Sequence, residues 1–436
     1  EEDVYGAYRE GLQCDRVVDD VVARYLKAFG AVCVEGPKWC GKTWTVLNHA
    51  ESVFYVADPQ GGFQNRQLAE LDAYRVLEGE KPHAIDEWQE VPGIWDAVRF
   101  AVDRGHERGA YLLTGSSVPP EKKTVHSGTG RIARLRMRPM TLFESGESSG
   151  EVSLARLLDG EAPHCAVETT LDELVWFTAR GGWPGSIFLG RDEAMLLPRQ
   201  YLQELADRDM SRVDGVERDS RKVERLLRSL ARNNQTSVSY DTLLKNIRDE
   251  GGVSVSKPTL MAYLDALRRL FVIEDIPAWN PNIRSAKAVR TKVKRHFVDP
   301  SLAVAALRAT PAALIRDLNT FGFLFETLVT RDVKVYAESL GCKISYYRDS
   351  AGREADLIVE ADDDRWAAIE VKLGASQIDE AANGLVKLRD KLVSEGCRPR
   401  LPSGRMRLDE VRLPTRRWRG GGSPHGFEIV MRACMQ

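Results

Sequence analysis

EGPKWCGKTW (35–44) places Gly36 and Gly41 around four free positions and follows them with Lys42 and Thr43. These residue types at this spacing suit a polyphosphate. The glycines let backbone N–H groups turn toward phosphate oxygens, Lys42 reaches the β- and γ-phosphates, and Thr43 offers its hydroxyl to Mg²⁺. AVCVE (31–35) reads as the preceding strand and KTWTVLNHA (42–50) as the following helix, whose N-terminus favours anions. Further on, HAIDEWQE (83–90) is a short strand ending in two acids. Asp86 is expected to hold Mg²⁺ through water and Glu87 to polarise the attacking water. A strand at 110–117, AYLLTGSS, ends in Thr114, Ser116 and Ser117, any of which could sense a γ-phosphate from the next strand tip. GTGRIARLRMRP (128–139) supplies Arg131 and Arg134 as candidate arginine fingers, in cis or toward a neighbour.

A second constellation lies near the C-terminus. EADLIVE (354–360) and WAAIEVKLG (366–374) read as strands. Alternate residues of a strand share a face, so Glu354 pairs in direction with Asp356, and Glu370 with Lys372. If the strands are neighbours, Asp356, Glu370 and Lys372 converge, and Glu326 can join from a preceding helix (321–338). Carboxylates so grouped can hold a divalent cation, and a lysine beside them can polarise a water near a phosphodiester. This is the PD-(D/E)XK pattern without its proline. The same residues also fit a structural ion-pair network.

These residues must be positioned by several domains, since 436 residues correspond to two to four at roughly 100–200 residues each. The net charge of −2 places no global field on nucleic acid, so any such attraction must be local. Seven scattered cysteines without a CxxC pair exclude a zinc knuckle and fit a reducing cytoplasm rather than a disulfide framework. No apolar run reaches the ~18 residues of a membrane span, and the acidic EEDVYGAYRE start is not expected to be a signal peptide.

Between the two constellations, residues 141–215 read as helices and connectors broken by GGWPG (181–185). Val223, Leu226, Leu227 and Leu230 then recur at helical spacing. Ser239 and Ser256 open two further helices, the second carrying Leu260, Leu264 and Leu267, and FVIEDIPAW (271–279) follows as a strand. Three short helices and a strand predict a winged-helix unit, with Lys257, Thr259, Arg268 and Arg269 as mildly basic candidates for a DNA groove. IRSAKAVRTKVKR (283–295) carries six Lys/Arg and no acid, and could run along phosphates or be a solvated linker.

With both ends in view, the chain resembles bacterial and archaeal AAA-type ATPases that carry a C-terminal domain of unknown function with a PD-(D/E)XK-like fold. The resemblance rests on GPKWCGKTW, IDEWQ, LTGSS, GGWPG, KRHFVDPSLA (294–303), FGFLFETLV (321–329), READLIVE and IEVK, over most of residues 15–395. It implies an α/β protein: an AAA-type P-loop ATPase at 15–145, a helical lid or linker at 146–217, a winged-helix unit at 218–285 and a nuclease-like domain at 286–399. It also implies ATP and Mg²⁺ as ligands. Nucleic acid, DNA rather than RNA, and a second copy or protein partner are the expected associates. An irregular tail is expected at 400–436, because RLPSGRMRLDEVRLPTRRWRGGGSPH departs from the family's apolar strands, as a shifted reading frame from near Arg398 would produce.

Overall fold

A computed structural model describes residues 15–119, 126–161, 169–249, 254–280, 292–363, 365–374, 377–394, 407–413 and 429–435. The chain divides into two compact units, one of residues 1–149 with 182–187, the other of 150–181 with 188–436.

The first unit is built on a five-stranded parallel sheet in the order β2-β3-β4-β1-β5. Its strands are β1 (Ala31–Glu35), β2 (Ser52–Tyr55), β3 (His83–Asp86), β4 (Tyr111–Gly115) and β5 (Ile132–Arg136). β1 is buried along its whole length, as a continuous apolar run inside a parallel sheet should be. Its one acid, Glu35, is buried against the Arg134 guanidinium, which also lies 4.1 Å over the Trp95 ring. The helix Gly93–Gly105 turns Ile94, Trp95, Ala97 and Val98 inward. Trp95 packs on the fully buried Trp88, ring centroids 4.8 Å apart. That aromatic pair anchors the turn just beyond β3.

The second unit is mostly helical around two antiparallel sheets. β6 (Ile273–Ile276) pairs with β7 (Lys294–Phe297). The larger sheet, ordered β11-β12-β10-β9-β8, comprises β8 (Lys343–Arg348), β9 (Glu354–Glu360), β10 (Trp366–Lys372), β11 (Arg407–Leu413) and β12 (Ile429–Met435). All of its neighbouring strands run antiparallel. The tail expected to be irregular therefore contributes two strands. β12 pairs with β10 through backbone groups, which any non-proline sequence supplies, so the absence of side-chain periodicity did not preclude a strand.

Three helices and a strand are present in the order expected, as Ser220–Arg232, Tyr240–Asp249 and Lys257–Arg269, followed by β6. Asp219 and Ser256 cap the first and third, and Pro258 occupies the first turn of the third, where its missing N–H costs nothing. The stretch expected as one lid, 146–217, is split: 146–149 and 182–187 group with the first unit and the remainder with the second. Among the described residues, no helix is long and apolar enough to cross a membrane.

Candidate functional site

The loop between β1 and the short helix Lys42–Leu47 is shaped by its glycines. Gly41 sits at φ 100°, a left-handed conformation that favours glycine. At Gly36 a Cβ would lie 2.1 Å from the Met137 carbonyl oxygen, so no side chain fits. Lys42 is buried and donates to the Pro37 carbonyl at 2.8 Å, folding back over its own loop. Thr43 and Thr114 each donate to Asp86 Oδ1 at 2.7 Å. Burial raises the Asp86 carboxyl above its ordinary range against the pull of these two hydroxyl donors.

Glu87 follows at φ 59°, ψ 47°, a left-handed conformation for a residue that has a Cβ. Its N–H is fixed by Thr114 Oγ1 at 2.9 Å. Its Oε2 accepts from Ser116 Oγ at 2.8 Å and from the Gln89 amide. Of the candidate sensors at the end of β4, Thr114 thus serves Asp86 and Ser116 serves Glu87.

Arg16 was not expected. Its buried side chain donates to the Cys40 carbonyl and the Arg138 carbonyl, both at 2.8 Å, and pairs with Glu144 at 2.9 Å. One guanidinium therefore ties the phosphate loop to the chain beyond β5. Its partners lie 24 to 128 residues away, so no local motif marks it.

Arg131 is not brought to the loop. It precedes β5, at the end of the sheet opposite Glu35 and the phosphate loop, because β1 and β5 run parallel with Ala31 beside Ile132 and Glu35 beside Arg136. Five residues at about 3.3 Å each separate it from that edge. It pairs at the surface with Asp103 at 2.6 Å. The cis arginine-finger role is thereby excluded. Arg134 is held by Glu35.

In the second unit, Glu326, Asp356, Glu370 and Lys372 do converge, but around a residue the sequence reading placed elsewhere. Lys294, from the basic stretch, is buried between Glu326 and Asp356, pairing with Glu326 and lying 3.2 Å from Asp356 Oδ1. Asp356 Oδ2 accepts the Val371 N–H at 2.9 Å, and Lys372 pairs with Glu370 at 2.7 Å. An ammonium therefore stands where the metal expectation required a cation. Among the described residues, no three His, Cys, Asp or Glu side chains are grouped so as to hold a metal ion. The donor set does not fit a divalent cation with Lys294 in place, so the metal roles expected of Glu326, Asp356 and Glu370 are corrected to ion-pair roles. Burial lowers the affinity of Lys294 for its proton, but the two carboxylates outweigh this and hold it charged.

The basic stretch is otherwise divided. Arg295 pairs with Asp275 at 2.8 Å, and 283–291 lie outside the described residues. In the helix Lys257–Arg269, Arg268 is taken by Asp275 at 2.7 Å and Arg269 donates to the Val213 carbonyl at 3.0 Å. Neither is left to the groove contact expected of it.

Burial, and then the charge on Asp356, push the Glu370 carboxyl from 4.5 up to about 7 despite its pairing with Lys372. The folded carboxyl thus keeps a proton that the unfolded one has released. Its contribution to stability is present below pH ~4.5 and is lost as pH rises toward 7, on the order of 3 kcal/mol for the full shift. Glu370→Gln is expected to flatten the decline in urea midpoint between pH 5 and pH 8. An unchanged slope would assign that decline to other groups.

Comparison with known proteins bears on the first site most directly. Residues 28–145 match a family model described as an AAA domain. The parallel sheet and the Gly36–Thr43 loop lie within this matched segment. Residues 171–313 and 321–411 match two models, each described as a domain of unknown function (DUF8612 and DUF4143). Uncharacterized proteins of Mycobacterium bovis and Mycobacterium tuberculosis are each 23% identical over 348 residues, covering 78% of this chain and 70% of theirs. A Walker-type ATPase of Pyrococcus abyssi superposes on 67% of this chain and 95% of its own, at 15% identity and a TM-score of 0.40.

Proposed function

We propose that this protein hydrolyses ATP with Mg²⁺ and uses the nucleotide state to act on nucleic acid through its second unit, without cutting it. The observation that carries the ATPase reading is the meeting of Thr43, Asp86 and Thr114 on one carboxylate oxygen, with Glu87 beside them. A hydroxyl and a buried carboxylate are oxygen donors of the kind Mg²⁺ takes alongside waters and phosphate, so Thr43 and Asp86 would hold it. When bound, the cation neutralises charge on the β- and γ-phosphates. Lys42 exchanges the Pro37 carbonyl for phosphate oxygens, and the Gly36–Gly41 backbone supplies N–H donors. Glu87 takes the proton of the attacking water.

The C-terminal cluster supports the non-cleaving part of the proposal. With Lys294 as its cation, Glu326 and Asp356 are paired from within the chain. Lys372 is engaged with Glu370 rather than presented to a phosphodiester. The second unit then serves as a binding module. Its helix Ser220–Arg232 spaces Arg221, Arg225, Arg228 and Arg232 by four, three and four residues, along one face.

The test combines two readouts on one sample. Duplex and single-stranded DNA incubated with the protein, ATP and Mg²⁺ or Mn²⁺ are expected to remain intact while phosphate release rises with added DNA. Cleavage that disappears in Glu370→Ala would show the cluster to be a working nuclease. Turnover indifferent to DNA and RNA at low salt would move the search for a partner to proteins.

A further inference from the structure

The carboxylate of Glu87 is held by two side chains. Ser116 Oγ donates to Oε2 at 2.8 Å, and the Gln89 amide nitrogen donates to the same oxygen. That nitrogen also lies 3.2 Å from Ser116 Oγ, so the three side chains close a triangle. Gln89 itself sits on a rigid mount. It is the middle residue of the single turn Trp88–Glu90, and Trp88 is fully buried against Trp95. Its amide packs at the end of β4, where a Cβ added to Gly115 would stand 3.3 Å from Gln89 Oε1. Gln89 Oε1 is buried and has no hydrogen-bond partner.

The two holders differ chemically. A serine hydroxyl has one proton to donate and rotates freely, so a γ-phosphate oxygen arriving at the end of β4 competes with Glu87 for it. An amide nitrogen has two protons and stays with the carboxylate. From this arrangement, and resting on the ATPase reading above, we infer that Gln89 is the positioning residue of the hydrolytic base. It keeps Glu87 aimed when Ser116 turns to phosphate. In the step itself the water oxygen bonds the γ-phosphorus, and the bond from that phosphorus to the ADP oxygen breaks with its electron pair. Glu87 takes the water proton, and Gln89 neither gains nor loses one.

A base whose carboxylate has lost its fixed donor is misplaced. Gln89→Ala is therefore expected to lower kcat for ATP about 10- to 100-fold while KM stays within about 3-fold. Gln89→Glu, which keeps the size of the side chain but sets a second carboxylate against Glu87 in place of a donor, should lower kcat at least as far. A merely structural role for Gln89 would lower the thermal midpoint and leave kcat of the similarly sized Gln89→Glu near wild type. Gln89→Ala with wild-type kcat overturns the inference. The two levels separate cleanly. A wild type that binds ATP without hydrolysing it overturns the ATPase reading, whereas an active wild type silenced by Glu87→Gln but not slowed by Gln89→Ala overturns only the role of Gln89.

Discussion

Glu87→Gln is expected to leave nucleotide binding near the wild-type level and to lower ATP turnover by about 10²- to 10⁴-fold, the range that a general base contributes. The substitution keeps the size and shape of the side chain. It also keeps the backbone, because the left-handed turn is fixed from outside by the Thr114 hydroxyl on the Glu87 N–H. What disappears is an acceptor basic enough to take a proton from water. The neighbouring groups cannot substitute. Asp86 has one oxygen committed to Thr43 and Thr114. The contrast with the loop lysine sharpens the test. Lys42→Ala removes a phosphate ligand, so it should raise the nucleotide dissociation constant itself, whereas Glu87→Gln should change kcat alone. Equilibrium binding of a fluorescent ATP analogue beside phosphate release measures both. A Glu87→Gln protein that hydrolyses ATP at the wild-type rate would remove Glu87 from the chemistry.

Lys294→Met is the substitution with the largest expected effect on stability, a loss of about 3–5 kcal/mol. Lys294 is buried between Glu326 and Asp356, and removing its charge leaves two carboxylates facing each other in a dry site. One of them must then take up a proton. Burial, followed by the charge on Asp356, already raises the Glu326 carboxyl well above its ordinary range even with Lys294 present. The loss should therefore be greater at pH 8 than at pH 5. Replacing Glu326 as well, in Lys294→Met/Glu326→Met, removes an uncompensated acid and should restore part of the lost stability, so that the two changes are not additive. Urea unfolding of the two single variants and the double variant measures this coupling. The account has a sharp opposite. If Mn²⁺ raises the thermal midpoint of the wild type but not of Glu370→Gln, the carboxylates hold metal in solution and Lys294 is not their resident cation.

The two sites differ in how far local sequence reveals them. The nucleotide loop is legible because its chemistry is done largely by backbone groups, and Gly36, Gly41, Lys42 and Thr43 impose that backbone within eight residues. Asp86 and Glu87 are legible for a similar reason: two acids at the tip of a buried strand need a reason to be there. Arg16 is illegible because its value lies in reaching the Cys40 and Arg138 carbonyls, which are adjacent only after folding. Gln89 was visible within IDEWQ but carries no reactivity of its own, and its role emerges only from the triangle with Glu87 and Ser116.

Arg131 shows a different limit. Residue type suggested a phosphate ligand, but strand direction places it at the wrong edge of the sheet. Lys294 and Arg295 show the complement of that error. In a run of bases they read as a phosphate-contacting patch or a solvated linker, yet β7 is buried along its length and its two cations are matched to Glu326, Asp356 and Asp275. The convergence of Asp356, Glu370, Lys372 and Glu326 was legible from strand alternation. The ammonium at their centre was not, because it comes from another strand more than thirty residues away from any of them in sequence.

The most direct measurement is phosphate release by the wild-type protein from ATP with Mg²⁺, and again with Mg²⁺ withheld. The account predicts multiple turnovers that require the cation and accelerate when DNA is added. Stoichiometric nucleotide binding with no phosphate released, with or without nucleic acid, would contradict it and leave a nucleotide-gated switch in place of an ATPase.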